Sequence, residues 1–285
     1  MSRIVHVNGE FLPEASASLS IFDRGVLFAD AVYEVTAVLD GGLVDFDAHQ
    51  ARLRRSLAEL AIDFDPVAAG LLDLHRELIH RNDLQEGLVY LQISRGVADR
   101  SFLQPANIRP SVVLFTQAQS LLDAPAAESG LSVITRPDKR WHRRDIKTTQ
   151  LLYPSMMKTL AVEQGANDVW MVEAGHVTEG SSSNAHIITA DGSLVTRPIS
   201  EDILHGITRA AVLDYARETG AEVIERPFTV AEAQEAREAF ITSATAFVTP
   251  VVAVDGVPVG DGRPGPATRR IRAHYISHSR DRLQY

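Results

Sequence analysis

Cysteine is absent from the 285 residues. That removes disulfide scaffolds, zinc–thiolate sites and cysteine nucleophiles together. Lysine is scarce: Lys139, Lys147 and Lys158 are the only three in the chain. No apolar run reaches the ~18 residues that a membrane-spanning helix needs. The N-terminal segment MSRIVHVNGEF lacks a long apolar core and a small-residue cleavage site, so it does not read as a signal peptide. The expected location is the cytoplasm. A P-loop, a glycine-rich dinucleotide fingerprint and metal-ligand spacings are missing as well. Ser181-Ser182-Ser183 lacks the G-x-S-x-G context of a strained nucleophile.

What is present fits a globular chain long enough for two small domains. Hydrophobic residues make up 45% and net charge is −9. A net-acidic chain argues against nucleic acid as the main partner, because phosphate binding needs clustered Lys and Arg. The single basic run, Lys139-Arg140-Trp141-His142-Arg143-Arg144, reads as a solvated loop.

The pattern predicts a hairpin over 4–12 turning at Asn8-Gly9. Strands follow at 31–39, 42–46, 88–95 and 111–118. Helices are expected at 48–61, with Asp47 as cap, and from Pro66 to His80, with Asp65 as cap. Residues 119–130 are rich in Ala, Ser, Pro and Gly and read as a linker. Beyond it, strands are expected at 131–135, 168–173, 185–190, 239–243 and 250–259. Helices are expected at 150–164, 207–220 and from Pro264. Thr229-x-x-Glu232 is a capping box. The expected organisation is a small N-terminal domain, 1–118, the linker, and a larger domain, 131–285. Both are α+β with mixed or antiparallel sheets.

Three segments carry chemistry. Lys147 follows an apolar residue and precedes two threonines. A Schiff-base lysine must be desolvated enough to lose its proton, but spacing alone leaves Lys147 an ordinary lysine. Val177-Thr178-Glu179-Gly180-Ser181-Ser182-Ser183-Asn184 reads as a polar turn between strands, either a surface loop or a carboxylate backed by hydroxyls and amides. Ile203-Leu204-His205-Gly206-Ile207-Thr208-Arg209 runs from a loop into a helix, either an ordinary helix start capped by Gly206 or Thr208 or one whose first N–H groups suit a phosphate.

In this order, Asp145-Ile146-Lys147, Thr178–Asn184 and Leu204-x-Gly206-Ile207-Thr208-Arg209 closely resemble the signature of the fold-type-IV pyridoxal-phosphate (PLP) enzymes. Val32-Tyr33-Glu34-Val35, His49-Gln50-Ala51-Arg52-Leu53, Phe240-Ile241-Thr242-Ser243 and Thr249-Pro250-Val251 extend the resemblance over nearly the whole chain. It implies a two-domain fold, the larger domain carrying a barrel-like mixed sheet flanked by helices. It implies that Lys147 holds pyridoxal 5′-phosphate as a Schiff base and shuttles the substrate proton. Glu179 keeps the pyridine nitrogen protonated. Arg52 and the amides of Ile207 and Thr208 bind the phosphate, Leu204 packs on the ring, and Ser182 and Ser183 support its other side. Ser243-Ala244 occupies the place where relatives carry a hydroxyl on the phosphate, so Ala244 removes one side-chain bond. The resemblance also implies a homodimer whose site the partner completes.

Within the family the likeness is greatest to D-amino-acid aminotransferases, which move an amino group from a D-amino acid to a 2-oxo acid such as 2-oxoglutarate by a ping-pong route. In that group Tyr33, with Val35 beside it, and an Arg-x-His pair meet the substrate. Here the pair reads Arg100-x-Phe102, with phenylalanine in place of the histidine. The alternatives are an (R)-amine transaminase, a branched-chain L-amino-acid aminotransferase, an aminodeoxychorismate lyase, a non-catalytic PLP carrier and a protein-interaction module that has kept the fold. No metal is expected.

Overall fold

The computed structural model describes residues 2–285. The chain forms two units. The first comprises residues 1–120, 146–150 and 279–285, and the second residues 121–145 and 151–278. The chain therefore passes into the second unit inside the expected linker, then returns twice. Part of the expected linker is helical (Pro125–Ser129).

The first unit opens with β1 (Ile4–Val7) and β2 (Glu10–Pro13), joined at Asn8-Gly9, both with positive φ as the turn requires. α1 (Arg24–Phe28) follows, capped by Asp23, whose carboxylate accepts from Gly25 N. Then come β3 (Ala31–Leu39), β4 (Gly42–Leu43), α2 (Phe46–Glu59), α3 (Leu71–Arg81), β5 (Gly87–Ser94) and β6 (Ser111–Ala118). The sheet runs β2-β1-β6-β5-β3-β4, antiparallel throughout. Leu53 and Leu57 of α2 and Leu71 and Leu78 of α3 pack with Val32, Val89, Leu91 and Leu114 of the sheet. Both helices start away from the expected caps. α2 begins at Phe46 behind Asp45, and neither it nor Asp47 is the side-chain cap. α3 begins only at Leu71, because Gly70 (φ 64°) interrupts the run from Pro66.

The second unit contains α4 (Pro125–Ser129), β7 (Leu131–Pro137), α5 (Leu152–Glu163), β8 (Asp168–Glu173), β9 (His176–Gly180), β10 (Asn184–Ile188), β11 (Leu194–Thr196), α6 (Ile207–Glu218), β12 (Val223–Glu225), α7 (Val230–Glu235), β13 (Glu238–Ser243), β14 (Phe247–Val254), β15 (Val257–Pro258) and α8 (Pro266–Arg280), whose last two residues lie in the first unit. Its nine-stranded mixed sheet runs β12-β11-β10-β13-β14-β7-β8-β9, with β15 on β14, and curls as a half-barrel. The capping box at Thr229 and Glu232 forms with both bonds present. Trp170, Phe228, Ile187, Ile241 and Val251 anchor its core. No helix among the described residues is long and apolar enough to cross a membrane.

Candidate active site

In the first unit, strand alternation puts Tyr33 and Val35 on one face of β3 and Glu34 on the other. Residues 146–150 run along the start of β3. Tyr33 N donates to Lys147 O at 3.0 Å, Thr149 N to Ala31 O at 3.1 Å, and Val32 bridges Thr148. Ser56 Oγ of α2 accepts from Lys147 N at 3.3 Å. These backbone ties hold the Lys147 main chain, and its ammonium stands 4.1 Å from the centre of the Tyr33 ring. Tyr33 stacks on Tyr90 at 5.6 Å, and Tyr90 on Phe115 at 4.7 Å. The fold thus brings Lys147 to Tyr33 near the start of β3, with Val35 two residues on along the same face of the strand.

On the buried face, Arg52 forks onto Glu34: Nε donates to Oε1 at 2.8 Å and Nη2 to Oε2 at 2.7 Å. His49 Nδ1 lies 2.8 Å from Oε2. Burial alone would raise the Glu34 carboxyl, but the Arg52 charge and these bonds hold it well below the usual carboxylate range. Arg52 is therefore fixed in direction by two of its nitrogens.

In the second unit, Glu179 is not in a turn. It lies in β9, buried, and the turn is Ser181–Ser183. Arg140 Nη1 donates to Glu179 Oε1 at 2.6 Å. Asn184 Nδ2 and Leu204 N each donate to Oε2 at 3.0 Å. Burial pushes the Glu179 carboxyl up, while Arg140 and the Leu204 amide pull it down. The net direction is upward, but all three contacts are donors, so the hydrogen bonds serve the ionised form. A carboxylate offers about four lone-pair sites; three are used, which leaves one for a ring N–H.

Asn184 organises the neighbourhood. Its Nδ2 also donates to Leu204 O at 2.9 Å. A Cβ on Gly206 would sit 2.0 Å from its Oδ1. Gly206 caps α6, so Ile207 and Thr208 contribute first-turn N–H groups that have no helical acceptor. A positive helix end with free amides beside a residue that must lack a side chain fits a phosphate. Ser183 Oγ is buried without a hydrogen-bond partner, another group available to a ligand. Ser182 is exposed. Ser243 Oγ accepts from Ala246 N at 3.0 Å and so serves its own turn, with Ala244 next in that turn. These residues fit PLP. No group of three or more metal-ligating side chains occurs among the described residues.

The basic run is not a solvated loop throughout. Arg144 is buried, donating to Glu173 at 2.7 Å, and Arg140 links Asp138 (2.7 Å) to Glu179. Sequence reading missed Arg140 because its partner Glu179 lies 39 residues on, and Asp138 because it joins this group only through Arg140 and Thr178. Asn184 closes the Thr178–Asn184 motif, but nothing local in the sequence gives it a role. Arg100 and Phe102 fall in the exposed loop after β5, with the guanidinium 5.5 Å from the Phe102 ring.

Comparison with known proteins agrees with this geometry. A sequence model described as amino-transferase class IV matches residues 31–254. A D-alanine aminotransferase of Bacillus licheniformis is 39% identical over 267 residues, 93% of each chain. One from Staphylococcus aureus (strain MSSA476) is 37% identical over 271 residues, covering 94% of this chain and 95% of that protein. A hypothetical aminotransferase from Mycobacterium tuberculosis, solved in its PLP-bound form, superposes with a TM-score of 0.85 at 23% identity, covering 98% of this chain and 100% of that one. At that identity it establishes the fold.

Proposed function

This chain belongs to the class IV aminotransferases, and from that premise we propose that it transfers the amino group of a D-amino acid to a 2-oxo acid such as 2-oxoglutarate, in two half-reactions on PLP. The near full-length likeness to D-alanine aminotransferases carries the substrate class. The reading includes a homodimer in the cytoplasm, and sedimentation velocity checks the dimer. The domain division at 119–130 belongs to the same reading.

PLP, when bound, supplies the electron sink for the carbanion at substrate Cα. The protein supplies the rest. Lys147 would anchor the cofactor and, once freed as the amine, would take the proton from substrate Cα and carry it for the transfer. The Tyr33 ring beneath its ammonium holds the side chain in place while it is charged. Glu179 keeps the ring N–H protonated, because a paired carboxylate favours the cation. Ile207 N, Thr208 N and Arg52 hold the phosphate, with Ser183 and Leu204 completing the bed. Ala244 withholds one hydroxyl, and Ser182 and Ser243 have supporting places. Arg100 offers a guanidinium fork to the substrate carboxylate, with Tyr33 and Val35 facing the substrate and Phe102 in place of a second donor.

Phe102 supports a second reading, an (R)-amine transaminase, since an apolar ring suits a substrate without a carboxylate. Spectral half-reactions with D-alanine, L-leucine and (R)-1-phenylethylamine separate the readings. D-alanine is expected to convert the cofactor fastest. A faster amine reaction moves the second reading ahead. Borohydride reduction with peptide mapping is expected to label Lys147, and Lys147→Ala to abolish turnover. A label on Lys139 or Lys158 overturns the assignment.

A further inference from the structure

Arg100 has a constructed setting. Its guanidinium faces Phe28 at 5.6 Å and Phe102 at 5.5 Å, and the two rings meet edge to face at 5.6 Å. Ring faces attract a guanidinium without consuming its N–H donors. Among the described residues no carboxylate pairs with Arg100, so those donors remain available to an anion. Yet packing does little to fix the loop that carries it. Phe102 is 82% exposed and Leu103 81%.

The fixing contact comes from α1. Arg24 Nη1 donates at 2.8 Å to the carbonyl of Ser101, the residue between Arg100 and Phe102. Arg24 is only 4% exposed. Its Nε donates to Asp30 Oδ2 at 2.7 Å, and its guanidinium lies 4.5 Å from the Phe28 ring. Asp30 is held in turn by Arg95, through 2.7 Å and 3.1 Å bonds, and Arg95 also reaches Leu60 O and Ala61 O. The arrangement is a strut: α2's C-terminal turn to Arg95, Asp30, Arg24 and the loop carbonyl.

We infer that Arg24 is a positioning residue for substrate-carboxylate recognition, a buried guanidinium that fixes Ser101 O and thereby sets where Arg100 and Phe102 stand. This rests on the reading of Arg100 as the carboxylate binder. The same strut explains how an exposed arginine can meet a small anion in one orientation: its neighbour's backbone is tied to the unit's interior.

The test is a double-mutant cycle on the holoenzyme, with KM and kcat for D-alanine measured for Arg24→Met, Arg100→Ala and the pair. Methionine keeps the apolar length over Phe28, and Asp30 keeps Arg95. Arg24→Met is expected to raise KM roughly tenfold, the scale of a lost charge-assisted bond, with a smaller change in kcat. Arg24→Lys, which keeps the charge on Asp30, recovers part of it. In the Arg100→Ala background, Arg24→Met is expected to add no further rise; a general structural role adds its full factor there. If Arg24→Met does not fold, Phe28→Leu, which removes the ring facing both guanidiniums, takes its place in the cycle. An unchanged KM, or the same rise with and without Arg100, overturns the inference. If Arg100→Ala raises KM and Arg24→Met does not, the inference alone fails. If Arg100→Ala leaves KM unchanged, the carboxylate reading falls and takes the inference with it.

Discussion

Glu179 shows what a single buried carboxylate requires. Out of water it tends toward its neutral form, and a neutral acid cannot stabilise a pyridinium. Arg140, 2.6 Å away, and the Leu204 amide oppose that burial and favour the ionised form. Removing Arg140 leaves burial unopposed on that oxygen. Arg140→Met is therefore expected to move the acidic limb of the D-alanine half-reaction to higher pH, with activity partly regained as Glu179 deprotonates. Glu179→Gln, an amide that cannot ionise, slows the reaction on the order of a hundredfold or more and abolishes that limb. Stopped-flow rates from pH 6 to 9 on both variants decide. A limb at the wild-type pH in Arg140→Met means that Arg140 does not tune Glu179. The sequence pointed to Glu179 through the Thr178–Asn184 motif. It hid Arg140, because a guanidinium in a basic run looks solvated until the carboxylate that buries it is in place.

At the scale of elements, the start of α6 depends on space more than on backbone freedom. Gly206 has φ −67° and ψ 132°, values any residue adopts. Its requirement is the 2.0 Å approach of Asn184 Oδ1 to the place of a Cβ. Gly206→Ala is expected to displace Asn184 and loosen its bonds to Glu179 and Leu204, at about 1–3 kcal/mol. Titration of the PLP-free protein followed by absorbance is expected to show weaker cofactor binding, with a lower melting temperature. Wild-type affinity in the variant contradicts the packing argument. Local signals read such elements well where the partners are close in sequence. The Asn8-Gly9 turn, the Thr229–Glu232 box and the alternation of β5 were legible for that reason. The helix starts at Phe46 and Leu71 were not: both N-caps, Asp45 and Gly70, are left-handed, and polar residues nearby offered plausible caps that the chain does not use as expected. The returns of 146–150 and 279–285 to the first unit were equally illegible, since each is held by backbone bonds to distant strands, as in Gln284 with Leu43.

The whole molecule carries buried histidines in both units, and they set its response to acid. His75, in the first unit, is buried against Phe46, and its Nδ1 lies 2.6 Å from Leu71 O, an acceptor, so Nδ1 carries the proton. Burial lowers its pKa to about 4. His186, in the second unit, stacks on Phe240 with Nε2 2.9 Å from Thr242 Oγ1, and burial followed by the Arg209 charge lowers it to about 3. Unfolded, each titrates near pH 6.5. As pH falls below ~6.5 the unfolded chain takes up protons that the folded chain refuses, so stability present above that pH declines toward the folded values. The limiting slope is about 1.4 kcal/mol per pH unit for each histidine. Glu34, held low by Arg52, contributes its loss only further down, as pH falls below the ordinary carboxylate range. Glu179, raised by burial, takes up its proton at a higher pH in the folded chain than in the unfolded one and so works against the histidines, which makes the difference between variants the clean measure. Urea unfolding at pH 7.5, 6.5, 5.5 and 5.0 is expected to show falling stability in the wild type and a shallower fall in His75→Gln, whose side chain cannot take up a proton in either state. Parallel slopes for the two proteins between pH 6.5 and 5.0 refute the assignment of acid sensitivity to His75.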